Sequence, residues 1–187
     1  WCAGTVDAFL LSRLGADDIV EIGNASRTQL LDVARFAWDE DLLGLFSIPR
    51  AALPQTVPSL GLHAVADALH PRLAGVPVQA VIAHSHSALF AHGAYDAGDV
   101  KATLGTGSSV MGLTAAGAHA HPGLCLTIAW DAGSGPVQAL EGNIRAAGST
   151  LRWVAELFGL TSEAAAELAA AASSEGVCLV PGFNGLG

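Results

Sequence analysis

Two short polar clusters stand out in an otherwise apolar chain: His84-Ser85-His86-Ser87 and Gly105-Thr106-Gly107-Ser108. The first follows directly on the apolar run 76–83. An imidazole ordinarily titrates near pH ~6.5, so His84 suits a general base at neutral pH. Histidines two apart also recur as metal ligands. His84-Ser85-His86 therefore reads alternatively as the entry to a metal-dependent hydrolase site, with His92, Asp96 and Asp99 as the nearest further ligands. The second cluster sets two glycines and two hydroxyls in a tight turn. Glycine lets backbone N–H groups approach an anion closely, and Thr106 and Ser108 add hydroxyl donors. The same pattern serves an ordinary hairpin.

The flanking elements decide how these clusters are held. The run 76–83 predicts a buried strand, followed by a helix over 87–92 and a Gly and Asp break. Strands over 100–104 and 109–113 flank Gly105-Thr106-Gly107 as a hairpin, and strands over 124–130 and 136–140 flank the turn 131–135. Both clusters thus fall at strand ends, where a packed scaffold presents reactive groups. Upstream, Thr5 predicts the cap of a helix with Val6, Phe9, Leu10 and Leu14 on one face, ended by Gly15. Residues 17–23 read as a loop or edge strand, and 24–28 as a loop fixed by its own side chains rather than by ligand. Asp39 predicts the cap of a helix carrying Leu42, Leu43 and Phe46, stopped by Pro49. Pro54 and Pro58 hold the next segment extended. His63 and His70 lack partners of other ligand types and read as surface histidines. Downstream, a helix over 143–159 is predicted to bury Ile144, Ala147, Leu151, Val154 and Phe158, followed by an Ala-rich helix over 164–172 and a strand over 177–180.

Composition narrows the function classes. Of the 187 residues 51% are hydrophobic and 13% charged, which is core-rich and not the composition of a disordered chain. Apolar runs end well short of the ~20 residues of a membrane span, and no signal peptide is visible. The net charge of −9 and eight scattered Lys and Arg argue against a nucleic-acid partner. Cys2, Cys125 and Cys178 form no CxxC pair and read as reduced thiols of a cytoplasmic protein.

Taken in order, the segments GTVDAFLLSRL (4–14), GNASRT (23–28), WDEDLLGLFSIPRAALP (38–54), the stretch 75–110, ALEGNIRAAGSTLRWV (139–154) and VPGFNGLG (180–187) resemble the FGGY family of carbohydrate kinases, the relatives of glycerol kinase and xylulokinase. The resemblance implies an α/β fold of the actin-like ATPase, ribonuclease H-like type. Residues 1–97 would be the C-terminal part of the first, sugar-binding domain and 98–187 the N-terminal part of the second, nucleotide-binding domain, with the cleft between them. It implies ATP- and Mg²⁺-dependent phosphorylation of a sugar or polyol hydroxyl, and it is compatible with a homo-oligomer.

By the same resemblance Gly105, Thr106 and Gly107 match the hairpin that contacts the ATP phosphates, and Ser85 falls on the substrate side. Relatives carry an Asp that takes the proton from the acceptor hydroxyl. Counting from Ala88-Leu89-Phe90 and from Gly75-Val76-Pro77 puts His84 in that position. Ile22 falls where many relatives have an aromatic residue that helps cradle the substrate. An inactive kinase remnant that only binds is the alternative that His84 raises. The family's first phosphate hairpin and its adenine pocket have no counterpart in these 187 residues, so the chain alone is expected to be inactive.

Overall fold

A computed structural model of the chain describes residues 3–183 and 185. In chain order its elements are α1 (Val6–Arg13), β1 (Ile19–Glu21), α2 (Ile22–Ser26), β2 (Leu31–Asp32), β3 (Ala37–Trp38), α3 (Glu40–Leu45), β4 (Gln55–Val57), β5 (Leu60–Val65), β6 (Pro77–Ala80), α4 (His84–Ala91), β7 (Val100–Leu104), β8 (Ser108–Leu113), β9 (Cys125–Asp131), β10 (Pro136–Ile144), α5 (Gly148–Leu157) and α6 (Ser162–Ala170). The architecture is mixed α/β. Its centre is an antiparallel sheet in the order β7-β8-β10-β9. Shorter pairs surround it: β1 runs parallel to β4, and β2–β3 and β5–β6 are antiparallel.

The predicted turns close the sheet as read. β7 spans the expected 100–104, and Gly105-Thr106-Gly107 joins it to β8 with Leu104 opposite Ser108. In the second hairpin the register shifts between Val137 and Gln138. Ala129 is thereby the extra residue, lying between Ile128 and Trp130, which pair with Gln138 and Val137. A bulge lets neighbouring residues serve two sides. Ile128 packs with Val20, Ile22, Ala25, Leu31, Trp38, Leu43 and Leu53, while Ala129 and Trp130 pack with Leu89, Ala94, Met111, Leu113 and Ala139. One strand therefore joins the two cores, one built by the N-terminal segments and the other by α4 against the sheet.

Capping explains two of the helices. The Asp39 carboxylate accepts from the backbone N–H of Asp41 and Leu42 and starts α3, as the sequence predicts. Thr5 precedes α1, but its hydroxyl donates to the Asp7 carboxylate and caps no backbone N–H. The other carboxylate oxygen of Asp7 accepts from the Glu21 amide at 2.9 Å, tying α1 to β1.

Several expectations are corrected. Within residues 17–23, Ile19–Glu21 is a strand at a sheet edge as read, since β1 pairs with β4 alone, but it is buried: Val20 and Glu21 lie at the heart of the first core. Ile22–Ser26 is a short helix and not a loop, though held by its own side chains as expected. Ser26 Oγ donates to the Gly23 carbonyl, and Thr28 Oγ1 to that of Ala25. The run 76–83 yields a strand only at Pro77–Ala80, in a two-stranded ribbon with Val76 exposed. The helix after it begins at His84, three residues before the predicted start. β10 continues to Ile144 because Asn143 and Ile144 pair with Ser109 and Ser108, so α5 begins at Gly148 and not at 143. The faces predicted to be buried also differ. Leu11 is the buried residue of α1 while Val6, Phe9 and Leu10 are exposed, and in α5 Thr150 and Ala155 are buried while Leu151 is 71% exposed. Residues 177–180 form no strand, and Val177, Leu179 and Val180 are exposed. Asn184, Leu186 and Gly187 of the last matching segment lie outside the described residues.

Candidate active site

α4 and β7 run side by side, and between them opens a cavity of about 630 Å³. His84, Ser85 and Ala88 line it from α4, Lys101 and Thr103 from β7, Gly107, Ser108 and Ser109 from the hairpin and β8. Glu141, Asn143, Ile144 and Arg145 close it. The two polar clusters met in the sequence therefore share one cavity, although 17 residues separate them along the chain.

His84 occupies the first turn of α4 and is exposed, with Nε2 3.5 Å from Ser85 Oγ. The preceding residue, Ala83, is extended and offers no side-chain cap. The first N–H groups of a helix lack intrahelical acceptors, so this end of α4 faces the cavity with positive partial charge. His84 also borders a smaller neighbouring cavity of about 230 Å³, with Asn24, Arg27, His86, Met111 and Glu141.

The hairpin is fixed by close backbone approach to α5. The Thr106 carbonyl accepts from the amides of Ala147 and Ser149 at 2.9 and 3.2 Å, and the Gly105 carbonyl from Gly148 at 2.9 Å. A Cβ on Gly148 would stand 2.5 Å from the Gly105 carbonyl oxygen, and one on Gly107 2.8 Å from that of Ile144. Neither position accommodates a side chain without moving the turn. Of the three hairpin residues expected to meet phosphate, Gly107 lines the main cavity. Gly105 lines a separate one with Leu104, Ala147 and Leu151, and its amide is engaged by the Gly107 carbonyl at 2.9 Å. Thr106 is not among the lining residues of either.

The metal-hydrolase reading finds no assembled set of ligands among the described residues. Residues two apart on a helix point to different sides. His84 stays at the surface while His86 turns inward and is 1% exposed. Among the described residues no group of three or more His, Cys, Asp or Glu is placed to hold a metal ion. Burial, reinforced by the charges of Arg27, Lys101 and His84, holds the His86 imidazole down to about 4, so it is neutral near pH 7. Its Nδ1 is buried without a hydrogen-bond partner.

Four residues not singled out from the sequence organise the site. Lys101 and Glu141 are both paired with Met111 across the sheet, which sets the three in one row on one face. Glu141 is buried and forms an ion pair with Arg27 at 2.8 Å. Lys101 is 4% exposed, and its Nζ donates to the Ser85 carbonyl at 3.4 Å. Glu21 is fully buried beneath α2. Its carboxylate accepts from the Gly23 and Asn24 amides and from Asn24 Nδ2, each at 2.8 Å, and from Ser59 Oγ at 2.6 Å. Burial raises the Glu21 carboxyl above its ordinary range. The bonds from Ser59, Gly23 and Asn24 oppose that rise, and the Asp7 charge adds to it. A lone Lys in a strand, or a Glu before a helix, reads as solvated from sequence alone. The available signal was register, since Lys101 and Glu141 each fall opposite the apolar Met111.

Residues 2–91 match the N-terminal domain of the FGGY family of carbohydrate kinases. Among curated proteins, the apulose kinase of Pectobacterium atrosepticum is 43% identical over 193 aligned residues, covering all of this chain and 38% of that protein. The glycerol kinase of Geobacter sp. is 39% identical and matches 100% of the chain and 39% of its own length. The chain thus spans a little over a third of these relatives. Among solved structures, the xylulose kinase from Rhodospirillum rubrum superposes with a TM-score of 0.81 at 27% identity, over 96% of this chain and 38% of that one. The Plasmodium falciparum glycerol kinase with ADP gives 0.76 at 28% identity, over 82% and 31%. The fold is that of these actin-like kinases, present in part.

Proposed function

The chain belongs to the FGGY family of carbohydrate kinases, and from that membership we propose that the protein carrying it transfers the γ-phosphoryl group of ATP to a hydroxyl of a sugar or polyol. The observation that supports this best is the shared cavity, which has His84 and Ser85 on one side and Gly107 and Ser108 on the other. Residues 1–97 would supply the acceptor side and 98–187 the nucleotide side. The acceptor would lie against Ser85, with its hydroxyl proton passing to His84 as the oxygen attacks. Gly105, Thr106 and Gly107 would hold the hairpin against the phosphates. Phosphoryl transfer depends mainly on positioning and on stabilising charge, and the rigid hairpin–α5 contact and the α4 N-terminus serve both.

The fit of a magnesium ion rests on the donors present. Glu141 and Asn143 are the oxygen-bearing side chains of the cavity that suit a hard cation, and Glu141 is engaged by Arg27. Mg²⁺ keeps waters and phosphate oxygens as most of its ligands, so a full protein cage is not required. The ion would enter with the nucleotide and face Asn143, supplying charge neutralisation at the phosphates.

The test is coupled measurement of ADP release by the protein that carries this chain, against glycerol, xylulose, apulose and gluconate. Acceptor-dependent release is expected. Nucleotide binding without release for any acceptor would favour the second reading, a binding remnant, to which His84 in the base position points. Absence of both binding and release would overturn the kinase reading. Because the relatives are more than twice as long, the 187 residues alone are expected to release no ADP with any of these acceptors.

A further inference from the structure

Lys101 is buried yet under-bonded. It is 4% exposed, and its ammonium has three donors, of which one meets the Ser85 carbonyl at a long 3.4 Å. The ion pairs among the described residues are Arg27–Glu141 and Arg35–Asp32, and neither includes Lys101. The carboxylate in its row across the sheet, Glu141, is already taken by Arg27. Burying a charge without a counter-charge costs several kcal/mol unless some partner arrives. Apolar groups fill the row beside it, with Met111 between Lys101 and Glu141. The open side is the 630 Å³ cavity, into which Thr103, two residues on along the same strand face, also looks.

Place in the fold indicates which partner. Along β7 the order is Lys101, Thr103, then the Gly105–Gly107 turn, so Lys101 stands at the α4 end of the row and the hairpin at the other. Its contact is with the residue that follows His84. It therefore sits between the acceptor side of the cavity and the nucleotide side. We infer that Lys101 is a catalytic residue whose ammonium meets the phosphoryl oxygens while the γ-phosphoryl group passes from ATP to the acceptor. This rests on the kinase reading. In that step the acceptor oxygen forms its bond to the γ-phosphorus, the bond from phosphorus to the bridging oxygen of ADP breaks, and the hydroxyl proton goes to His84. Negative charge spreads over the three remaining phosphoryl oxygens, where a fixed, desolvated cation acts most strongly. Ser108 Oγ, buried beside the same cavity with no partner, is a second donor there.

The experiment compares Lys101→Met and Lys101→Arg with the parent, using the protein that carries this chain. Lys101→Met keeps the stem and removes the charge. It is expected to lower kcat by roughly 10²–10³-fold, leave the acceptor KM within about threefold, and leave thermal stability unchanged or raised, since an unpaired buried charge is removed. Lys101→Arg is expected to recover about tenfold of the loss. A merely structural lysine would lower the melting temperature and would not split kcat from KM. A folded Lys101→Met protein with kcat within threefold of the parent would overturn the inference. Calorimetric titration with tripolyphosphate separates this outcome from failure of the kinase reading. If the parent turns over no acceptor, a tenfold or greater loss of tripolyphosphate affinity in Lys101→Met sustains Lys101 as an anion contact. Equal affinity in both proteins, or no binding by the parent, overturns it.

Discussion

Glu21 and Lys101 are both buried charges close to α2, α4 and the central sheet, and the protein treats them in opposite ways. Glu21 accepts four hydrogen bonds, from two amides, a side-chain amide and a hydroxyl. Its neighbour Ser59 passes the network on, accepting from the Asp131 amide at 2.9 Å through Oγ. Lys101 has one long bond to a carbonyl, and nearby His86 Nδ1 and Ser108 Oγ have none. A saturated buried group holds a scaffold, because its loss strands several partners. An unsaturated one costs stability in the free protein and is retained where a ligand completes it. The contrast separates the supporting side of the molecule, α2 with β9, from the side proposed to work, α4 with β7 and the hairpin.

The largest test of the working side is His84→Asp. The substitution places a carboxylate, the group expected at the proposed base position, in the first turn of α4, where the helix N-terminus favours negative charge. If His84 marks a weakened base, turnover rises by about 10²–10⁴-fold. If His84 works in a reshaped pocket, turnover falls or the preferred acceptor changes. Steady-state rates across the acceptor panel distinguish the two. No change in either would remove residue 84 from the chemistry and move the working side elsewhere in the cavity.

On the supporting side Glu21→Ala strands four donors at once, and an expected loss of about 3–5 kcal/mol follows from breaking a buried charged network from one end. Urea denaturation measures it. A loss below about 1 kcal/mol would mean that Glu21 is no more structural than Lys101, and the contrast would fail.

How much of this division the sequence revealed depends on the range of the interactions involved. Local signals located β7, both hairpins, the Asp39 cap and the two polar clusters, because turn chemistry and capping act over two to four residues. Periodicity identified apolar faces on α1 and α5 but not what meets them. Val6, Phe9 and Leu151 are apolar and exposed, while the small residues Thr150 and Ala155 lie inward. The start of α5 was misplaced because Asn143 and Ile144 suit a helix, yet ladder partners on β8 hold them extended. The charges around the candidate site, Arg27, Lys101 and Glu141, lie 40 to 114 positions apart in the chain, and of them Arg27 and Glu141 form an ion pair. Strand register aligns Lys101 with Glu141 through Met111, and the packing of α2 on the sheet brings Arg27 to Glu141.

A third test uses acidity. His86 is held to about 4 in the folded protein against an ordinary 6.5. Between those values the unfolded chain binds a proton that the folded one refuses, so stability falls as pH drops through this window and levels off below it. From pH 7 to 5 the loss is about 2 kcal/mol, following from 1.36 kcal/mol per pKa unit. Glu21 acts in the opposite sense. Its raised carboxyl keeps a proton that the unfolded chain releases, which removes stability as pH rises from 4.5 through its folded value. Comparing parent and His86→Leu by urea denaturation across pH isolates the histidine. A parallel pH dependence in the two proteins would show that His86 is protonated when folded, and the under-bonded cluster would then hold one more charge.

The smallest expected effect on stability is the most telling for the contrast. Ser108 lies at the start of β8 with its Oγ buried, bordering the cavity and lacking a partner. Ser108→Ala breaks no hydrogen bond in the free protein and relieves a desolvated hydroxyl. Its stability should therefore stay within about 0.5 kcal/mol of the parent, or rise slightly. A hydroxyl of Glu21's network, Ser59 Oγ, has two partners, so Ser59→Ala should cost about 2 kcal/mol by the same reasoning. The functional effects should run the other way. Ser108→Ala withdraws a donor from the phosphate side and should raise the apparent KM for ATP by about fivefold, equivalent to roughly 1 kcal/mol. Ser59→Ala should leave that KM unchanged in the fraction that folds. Paired denaturation and ATP-dependence curves for the two variants read both effects. If Ser108→Ala destabilises as much as Ser59→Ala, its hydroxyl has a partner in solution, and being buried without bonds ceases to mark the working side.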